Sequence, residues 1–273
     1  MEFNSLEKKC VYYKSLTDYK LMPNSYVICM LDGRNFSSII KKHFEQPFDA
    51  KFIDMMNETA AYLCQNISGC KLAYVQSDEI SLILTDFEKE NTGSIFGYRL
   101  CKLLPLIASM ASGKFNQLWL CKKIEDLWTD DNIQVEKVLD KVKSQKRVEF
   151  DCKCWNVPSF NDAMAWLLFR QNECIRNSKN QTAQTYLPYK ELLCLTSDKM
   201  VEKLKDEKGI DWNDLDDGMK YGRFIYKEKE MYYNIEMNTN YERSVWNVHN
   251  ALPLNIEENR NKFISLNIIP VLT

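Results

Sequence analysis

The chain has an apolar segment, Tyr26 to Leu31, that ends abruptly at Asp32 and Gly33. The segment is rich in strand-forming residues and is long enough for one buried strand. Glycine lets the backbone turn tightly after the strand, and a carboxylate at that place can present oxygen atoms to a metal ion. The segment therefore predicts a buried strand with Asp32 at its end, placed to bind a cation.

A second aspartate, Asp78, lies at the tip of a predicted β-hairpin. Residues 70–76 and 79–85 have strand patterns, and Ser77 and Asp78 form the turn between them. If the hairpin and the first strand are neighbours in one sheet, the carboxylates of Asp32 and Asp78 converge. Two carboxylates and a backbone carbonyl suit Mg²⁺, so the pair favours metal-assisted phosphoryl or nucleotidyl transfer. Taken singly, either aspartate is more simply explained as a turn residue.

The first half of the chain predicts a ferredoxin-type unit with the order β-α-β-β. Apolar residues recur at helical spacing between Asp49, which is placed to cap the helix, and about residue 67. Residues 36–47 predict a loop or short helix. Residues 94–120 predict a helix that kinks or breaks at Pro105, and residues 147–157 predict a strand that closes the first sheet.

The second half of the chain predicts further helices and one hairpin. A helix capped by Ser159 leads into a largely helical stretch to about residue 204, interrupted at Pro188. Residues 223–237 predict a hairpin that turns near Lys229, and residues 256–266 predict a last helix. Alternating charge over residues 121–147 indicates a solvated insert or linker, so we expect the domain boundary there. The predicted fold class is α+β, an antiparallel sheet with flanking helices followed by a C-terminal helical and β-hairpin region.

Composition excludes several classes of protein. The formal net charge is −2, so nucleic-acid binding would need a local basic patch. The 10 cysteines are scattered apart from Cys152 and Cys154, which share a strand face with Val148 and Phe150; reduced thiols indicate an intracellular protein. Two histidines allow no zinc-ligand spacing, and no P-loop or GxGxxG motif is present. No apolar run is long enough to cross a membrane, and the first residues have no signal-peptide pattern.

The motifs in this chain resemble those of the tRNA-His guanylyltransferase superfamily. The segments that carry the resemblance are LDGRNFS at 31–37, FEQPFD at 44–49, AYVQSDEIS at 73–81, FRQNECIRNSKNQTAQ at 169–184 and KYGR at 220–223. Members of this superfamily are 3′–5′ nucleotide-adding polymerases whose core is similar to the palm of polymerases and cyclases. The resemblance implies a palm-like catalytic domain at 1–135 and a C-terminal domain at 136–273 that completes the core and the tRNA-binding surface.

The resemblance also implies roles for particular residues. Asp32, the Gly33 carbonyl and Asp78 would bind two Mg²⁺ ions, with the two aspartates as catalytic residues. Glu79 would stand in an outer position. A nucleoside triphosphate, ATP or GTP, would be bound by Asp32, Gly33, Arg34, Asn35, Phe36, Ser37, Ser77 and Asp78. The candidates for contacts with phosphate or tRNA are Lys41, Lys42, Arg99, Lys102, Arg170, Arg176, Asn177 and Lys179.

The chain departs from the family pattern in ways that indicate a branch. True tRNA-His guanylyltransferases carry a HINNLYN-like segment where residues 175–178 read IRNS, so the family histidine is missing. The replacement resembles guanylyltransferase-like proteins of bacteria, archaea and some protists, which rebuild truncated tRNA 5′ ends. Met30 and Gln46 stand where the family usually has arginine and lysine. Both changes remove positive charge near the triphosphate, and the available substitutes are Lys41, Lys42 and His43.

The activity implied by the resemblance is template-dependent 3′–5′ addition of nucleotides to the 5′ end of tRNA. ATP or GTP would activate the end, and pairing with the opposite strand would select the incoming nucleotide. Two alternatives stay open: a true tRNA-His guanylyltransferase, and a catalytically silent tRNA-binding relative, which Met30 and Gln46 favour and the two aspartates oppose. The expected partners are tRNA and nucleoside triphosphates, with no membrane. A homotetramer in the cytoplasm is also expected.

Overall fold

The computed structural model describes residues 4–88, 93–128, 140, 142–144, 146–234 and 237–272. Its described strands form one antiparallel sheet with the order β4-β1-β3-β2-β5-β6. The strands are β1 Tyr26–Arg34, β2 Cys70–Gln76, β3 Glu79–Leu84, β4 Glu149–Val157, β5 Arg223–Asn234 and β6 Thr239–Asn250. The strand that carries Asp32 therefore lies inside the sheet, between β3 and β4.

Helices cover both faces of the sheet. They are α1 Leu6–Ser15, α2 Phe36–His43, α3 Ala50–Asn66, α4 Leu100–Trp128, α5 Phe160–Tyr186, α6 Tyr189–Leu192, α7 Ser197–Lys208, α8 Asp217–Tyr221 and α9 Glu257–Ser265. One hydrophobic core joins α2, α3 and α4 to one face of the sheet. A second core joins α5 and α9 to the opposite face. This arrangement confirms the predicted α+β fold, a sheet with flanking helices.

Local sequence signals explain the first β-α-β-β unit. Asp49 caps α3, since its carboxylate accepts a hydrogen bond from the backbone N–H of Phe52 at 2.9 Å, as predicted. Gly69, with φ of 83°, follows the helix and leads into β2. The predicted hairpin of β2 and β3 is confirmed, with Gln76 opposite Glu79 across the turn. These elements bring the hairpin tip to the end of β1.

Helix α4 differs from its prediction at Pro105 and at its C-terminal end. The helix continues through Pro105, so the predicted break is wrong. Proline removes one backbone donor, and the packing of Leu103, Ile107 and Phe115 into the core holds the helix across that point. Residues 121–128, expected in a solvated insert, continue α4, while residues 129–139 of that predicted insert lie outside the described residues.

The C-terminal hairpin is longer than the sequence predicted. The turn near Lys229 is wrong, because β5 runs on to Asn234, which pairs with Thr239 of β6. Lys229 instead forms an ion pair with Glu242 on the opposite strand at 2.9 Å. The outer part of this two-stranded ribbon is exposed, so charged residues are accommodated within its strands. The charged residues 227–230, which predict a turn, are thus part of strand β5.

The sheet takes strands from both predicted domains. Strand β4, from the range 136–273, pairs with β1 along its whole length, and β5 pairs with β2. The predicted division at residue 135 stays a prediction. Among the described residues, no helix is both long and apolar enough to span a bilayer.

Candidate active site

Asp32 lies in a row of carboxylates across three strands. It is directly opposite Glu79 of β3 on one side and Asp151 of β4 on the other. Directly opposed residues share one face of a sheet, which here is the face covered by α5. Burial, and next the charge of Asp151, raise the pKa of Asp32 above its usual value. Strand β1 extends past Asp32 to Arg34, so this carboxylate is held by paired backbone on both sides.

Asp78 is fixed at the hairpin tip by an unusual turn. The preceding residue, Ser77, has a left-handed φ of 46°, a conformation that is uncommon for residues other than glycine. Burial raises the pKa of Asp78 to about 6, and hydrogen bonds from the backbone and from Ser77 only partly offset this. The charge of Asp32 also raises the pKa of Asp78. The two aspartates thus form an electrostatically unfavourable pair when both are ionised.

Glu79 and Arg170 connect the hairpin to α5. The Arg170 guanidinium donates a hydrogen bond to Glu79 Oε1 at 2.6 Å, and Gln76 donates to Glu79 Oε2 at 3.0 Å. The guanidinium carbon lies 5.8 Å and 5.3 Å from the ring centroids of Trp166 and Phe169. Arg170, expected to contact phosphate or RNA, is therefore occupied by Glu79. Glu79 does lie beside the aspartates, and its role as an outer ligand stays a prediction.

The loop between β1 and α2 is built on Gly33 and Phe36. A Cβ atom at Gly33 would lie 2.3 Å from Phe36 Cδ2, so no larger residue fits without moving the ring. Phe36 is buried, with ring centroids 5.2 Å from Phe115 and 5.1 Å from Phe150. Asn35 then adopts a left-handed φ of 61° at the start of α2. This geometry leads the chain from Asp32 into a helix N-terminus, whose free N–H groups favour anions.

A cavity adjoins the hairpin tip between the start of α3, α5 and α8. Its lining residues are Ile40, Glu45, Pro47, Phe48, Asp49, Phe52, Ile53, Gln76, Ser77, Cys174, Asn177, Ser178, Gln181, Gly218, Met219 and Arg223. Asn177, one of the predicted tRNA contacts, lies in this wall. The cavity therefore lies beside the hairpin tip that carries Asp78.

Arg223 is a buried cation in the wall of this cavity. Its Nε donates to Asn57 Oδ1 at 3.0 Å and its Nη1 donates to the Gly218 carbonyl at 2.9 Å. Burial lowers the pKa of Arg223. Sequence reasoning missed both Arg223 and Asp151 as site residues. The strand pattern of residues 147–157 predicts that Asp151 lies on the opposite face of the strand from Phe150 and Cys152. The pattern does not indicate which strand would pair with this one.

The other predicted cations lie in varied surroundings. The three-residue spacing of Arg99 and Lys102 predicts that both lie on one helix face. This prediction is wrong for Arg99, which precedes α4 and lies 3.6 Å from Asp18. Lys102 Nζ lies 5.5 Å from the ring centroid of Phe96. Arg176 is paired with Glu173, Lys179 with Asp198 at 2.6 Å, and Arg34 with Glu149 at 3.2 Å. Lys41 and Lys42 lie in the last turn of α2.

The donor set at the aspartates fits a divalent cation of the hard, oxygen-binding kind. The described residues contain no group of three or more His, Cys, Asp or Glu side chains suited to a metal. The donors would therefore be the carboxylates of Asp32 and Asp78 with the Gly33 carbonyl. The raised pKa values of both carboxyls indicate that their ionised forms lack a compensating positive charge. A cation such as Mg²⁺ would supply that charge.

Comparison with known proteins places this geometry among nucleotide-transferring enzymes. The sequence profile of tRNAHis guanylyltransferase matches residues 8–158. A bacterial tRNA(His) guanylyltransferase (Thg1)-like protein, solved with ATP, is similar at a TM-score of 0.78 and 32% identity over 96% of this chain and 98% of that one. A bacterial Thg1-like protein solved with GTP has a TM-score of 0.71 and 28% identity over 96% and 99% of the two chains. An uncharacterised protein of Acanthamoeba polyphaga mimivirus is 26% identical over 79% of this chain and 75% of its own length.

Proposed function

Because this chain belongs to the tRNAHis guanylyltransferase family, we propose that it adds nucleotides to the 5′ end of tRNA in the 3′–5′ direction. The observation that carries the proposal is the pair of carboxylates, Asp32 and Asp78, set between a helix N-terminus and a cavity. Bacterial Thg1-like proteins with ATP and with GTP support nucleoside triphosphates as substrates. The chain covers most of both bacterial proteins, which favours the branch that rebuilds 5′ ends.

The aspartates would hold Mg²⁺ together with the Gly33 carbonyl. Bound Mg²⁺ supplies charge neutralisation and a lowered pKa for an attacking hydroxyl group. Ionised Asp32 and Asp78 are needed for this, and burial raises the pKa of both carboxyl groups, while the charge of Asp32 adds to the rise at Asp78. Glu79 would stay outside the metal ligands, since Arg170 and Gln76 already occupy its carboxylate.

The loop from Gly33 to Ser37 would bind the triphosphate. Gly33 lets the backbone approach closely, and the N–H groups at the start of α2 point away from the helix toward an anion. The adjoining cavity would take the nucleobase, with Ser77 at its entrance and Arg223 as its buried donor. This division separates phosphate binding on the loop from base binding in the cavity.

The reaction has two steps that use the same carboxylates. A nucleotidyl group from ATP or GTP is first transferred to the 5′ monophosphate of the RNA, and pyrophosphate leaves. The 3′-hydroxyl of the incoming nucleotide then attacks the activated 5′ phosphate, and the activating nucleotide monophosphate leaves. The protein positions the reacting groups, while pairing with the opposite strand selects the nucleotide. A cytoplasmic location and a homotetramer belong to the proposal as expectations of the family resemblance.

A direct assay tests the activity. The protein is incubated with Mg²⁺, labelled nucleotides and a 5′-monophosphorylated tRNA that lacks its first nucleotide. We expect template-directed 5′ extension by the wild type, and a loss of at least a thousandfold in Asp32→Asn and Asp78→Asn, because a missing metal ligand removes several kcal/mol of transition-state stabilisation. Lys190→Ala, far from the site on α6, serves as the control.

The outcomes separate the alternatives. Addition of an untemplated guanosine to full-length tRNA-His in preference to repair would favour a true tRNA-His guanylyltransferase. Binding of tRNA without any extension would favour a catalytically silent relative. Near-wild-type extension by either asparagine variant would contradict the role of the aspartates.

A further inference from the structure

A second concave surface lies at the far end of α2, away from the Gly33 loop. Its lining residues are Lys42, His43, Phe44, Glu45, Asp49, Ala50, Lys51, Met55, Trp119, Lys122 and Lys123. Helix α2 has 8 residues, so at a rise of 1.5 Å per residue its two ends are about 12 Å apart. We call this surface the α2–α4 patch. It joins the C-terminal end of α2 to the exposed side of α4.

The centre of the patch is one buried tryptophan that Lys123 and His43 contact. Lys123 Nζ lies 4.4 Å from the ring centroid of Trp119, and the His43 ring meets the same ring at 5.6 Å. Trp119 is buried, so it fixes these side chains from below rather than offering its own face to solvent. A cation over a tryptophan ring is held in place by the ring quadrupole. The ammonium group of Lys123 is therefore positioned by Trp119 before any ligand binds.

The charges of the patch are only partly neutralised. Lys42, Lys122 and Lys123 line the patch together with two carboxylates, Glu45 and Asp49. Asp49 is already engaged by the backbone N–H groups of Glu45 and Phe52, and Lys122 is paired with Glu125. Among the side chains that the structure describes, which end at Glu125 on this part of α4, no ion pair joins Lys42 or Lys123 to a carboxylate. Burial first, and then the charge of Lys42, lower the pKa of Lys123, so the two ammonium groups are close enough to repel each other.

A concentration of positive charge is significant in a protein whose formal net charge is −2. Such a protein has no general attraction for polyanions, so any attraction must be local. Several other cations are already paired with carboxylates, among them Arg34, Arg176 and Lys179. Glu45 and Asp49 line both the patch and the cavity at the hairpin tip, so the two concave surfaces adjoin each other. The patch therefore suits a ligand that extends past the active site.

We propose that the α2–α4 patch binds the phosphodiester backbone of the RNA substrate, through Lys42 and Lys123, at a distance from the nucleotide being added. The inference rests on the proposed function, since it assumes that tRNA is the polyanion. It assigns Lys42 to RNA rather than to the triphosphate, and it adds Lys123 to the RNA-binding surface. Trp119 lies below that surface and positions Lys123.

The test is the salt dependence of tRNA binding by the double variant Lys42→Ala, Lys123→Ala. Each lost phosphate contact should reduce the slope of log K against log salt by roughly 0.7–0.9. Taking 1 M salt as the reference, one contact corresponds to about five- to eightfold in affinity at 0.1 M salt. For two contacts we therefore expect about a 25- to 60-fold weaker complex and a slope whose magnitude is lower by roughly 1.4–1.8. The affinity for ATP in the absence of RNA should not change.

Two matched variants complete the design. Lys190→Ala, Lys199→Ala removes two exposed lysines elsewhere and should leave the slope unchanged. Lys42→Arg, Lys123→Arg keeps both charges and should retain most of the affinity. An unchanged slope in the alanine variant, with a wild type that binds and extends tRNA, overturns the patch and leaves the proposed function intact. Equal loss of ATP affinity would assign the patch to the triphosphate instead. A wild type that fails to bind tRNA overturns both.

Discussion

At the scale of single residues, the distinctive feature is an aspartate that is costly to ionise. The pKa of Asp78 is about 6 in the folded protein, against an ordinary value of 3.8, and burial is the main cause. A raised carboxyl pKa favours folding while the group is protonated. Its contribution to the free energy of unfolding is complete below pH 3.8 and is lost as the pH rises through 6. Near neutral pH the ionised carboxylate therefore destabilises the fold in the absence of a cation.

This sign gives a testable prediction for Asp78→Asn. Each pKa unit corresponds to about 1.4 kcal/mol, so above pH 7 the variant should be more stable than the wild type by up to about 3 kcal/mol. The difference should shrink below pH 5. Urea unfolding at pH 4.5 and 7.5 measures it. Added Mg²⁺ should raise the wild-type unfolding temperature at pH 7.5 more than that of the variant, and an equal shift in both proteins would argue against Asp78 as a ligand.

Gly33 allows a second residue-scale prediction with a control in the same chain. Gly33→Ala places a methyl group 2.3 Å from the buried Phe36 ring, so we expect a loss of about 1–3 kcal/mol of stability together with weaker ATP binding. Gly113, inside α4, has no atom within 4 Å of its would-be Cβ. Gly113→Ala should stabilise the protein by about 0.5–1 kcal/mol and leave ATP binding unchanged. Urea unfolding and ATP titration distinguish the two.

Asp32 and Asp78 could be singled out from sequence because each ends a strand pattern at a turn. Asp151 and Arg223 could not. Asp151 gains its place only from the pairing of β4 with β1, and Arg223 only from the packing of α3 and α8 around β5. Residues whose role depends on a neighbour distant in sequence leave no local pattern.

At the scale of secondary-structure elements, α5 is fixed to the catalytic hairpin by a few polar contacts. Arg170 pairs with Glu79, and Trp166 Nε1 donates to Ser81 Oγ at 3.1 Å. Both members of the ion pair are mostly shielded, with side-chain exposures of 11% and 19%. Removing one member of a shielded ion pair lowers the stability more than replacing both members by uncharged residues, because the single removal leaves its partner as a buried, unpaired charge.

The prediction concerns Arg170→Met alone and combined with Glu79→Gln. The single variant should lose about 3 kcal/mol of stability, and the double variant distinctly less, since it leaves no unpaired charge. Chemical denaturation of the four proteins in the cycle measures the difference. The single variant should also raise the pKa of Asp32, because Arg170 lowers it at present. Additive losses in the double variant would mean that the pair is not coupled.

Element types followed from the sequence more reliably than element ends. Strand β1, the β2–β3 hairpin and the capped helix α3 each combine a hydrophobic period with a local stop signal. The β5–β6 hairpin lacks that agreement, because the outer half of its strands is exposed and carries charged residues. Its turn was therefore placed too early, at a charged run that pairs across the ribbon.

At the scale of the whole molecule, the sheet unites distant parts of the chain around β1. Strands β3 and β4 flank β1 in the sheet, and in the sequence the long helix α4 lies between β3 and β4. Patterns within the sequence predicted each strand, but the order β4-β1-β3-β2-β5-β6 depends on contacts that no local pattern records. The net charge of −2 was likewise readable, whereas the gathering of Lys42 and Lys123 beside Trp119 required the fold.

The position of β1 between β3 and β4 affects how the chain can fold during its synthesis. Strand β1 ends at Arg34, but β4, which closes its second edge, is complete only at Val157. Until that point a nascent chain leaving the ribosome presents a largely apolar strand with unpaired N–H and C=O groups along one side. Such an edge is a template for pairing with other chains. Asp32 is thus synthesised early, but more than half of the protein must be translated before the strands on both sides of it can pair.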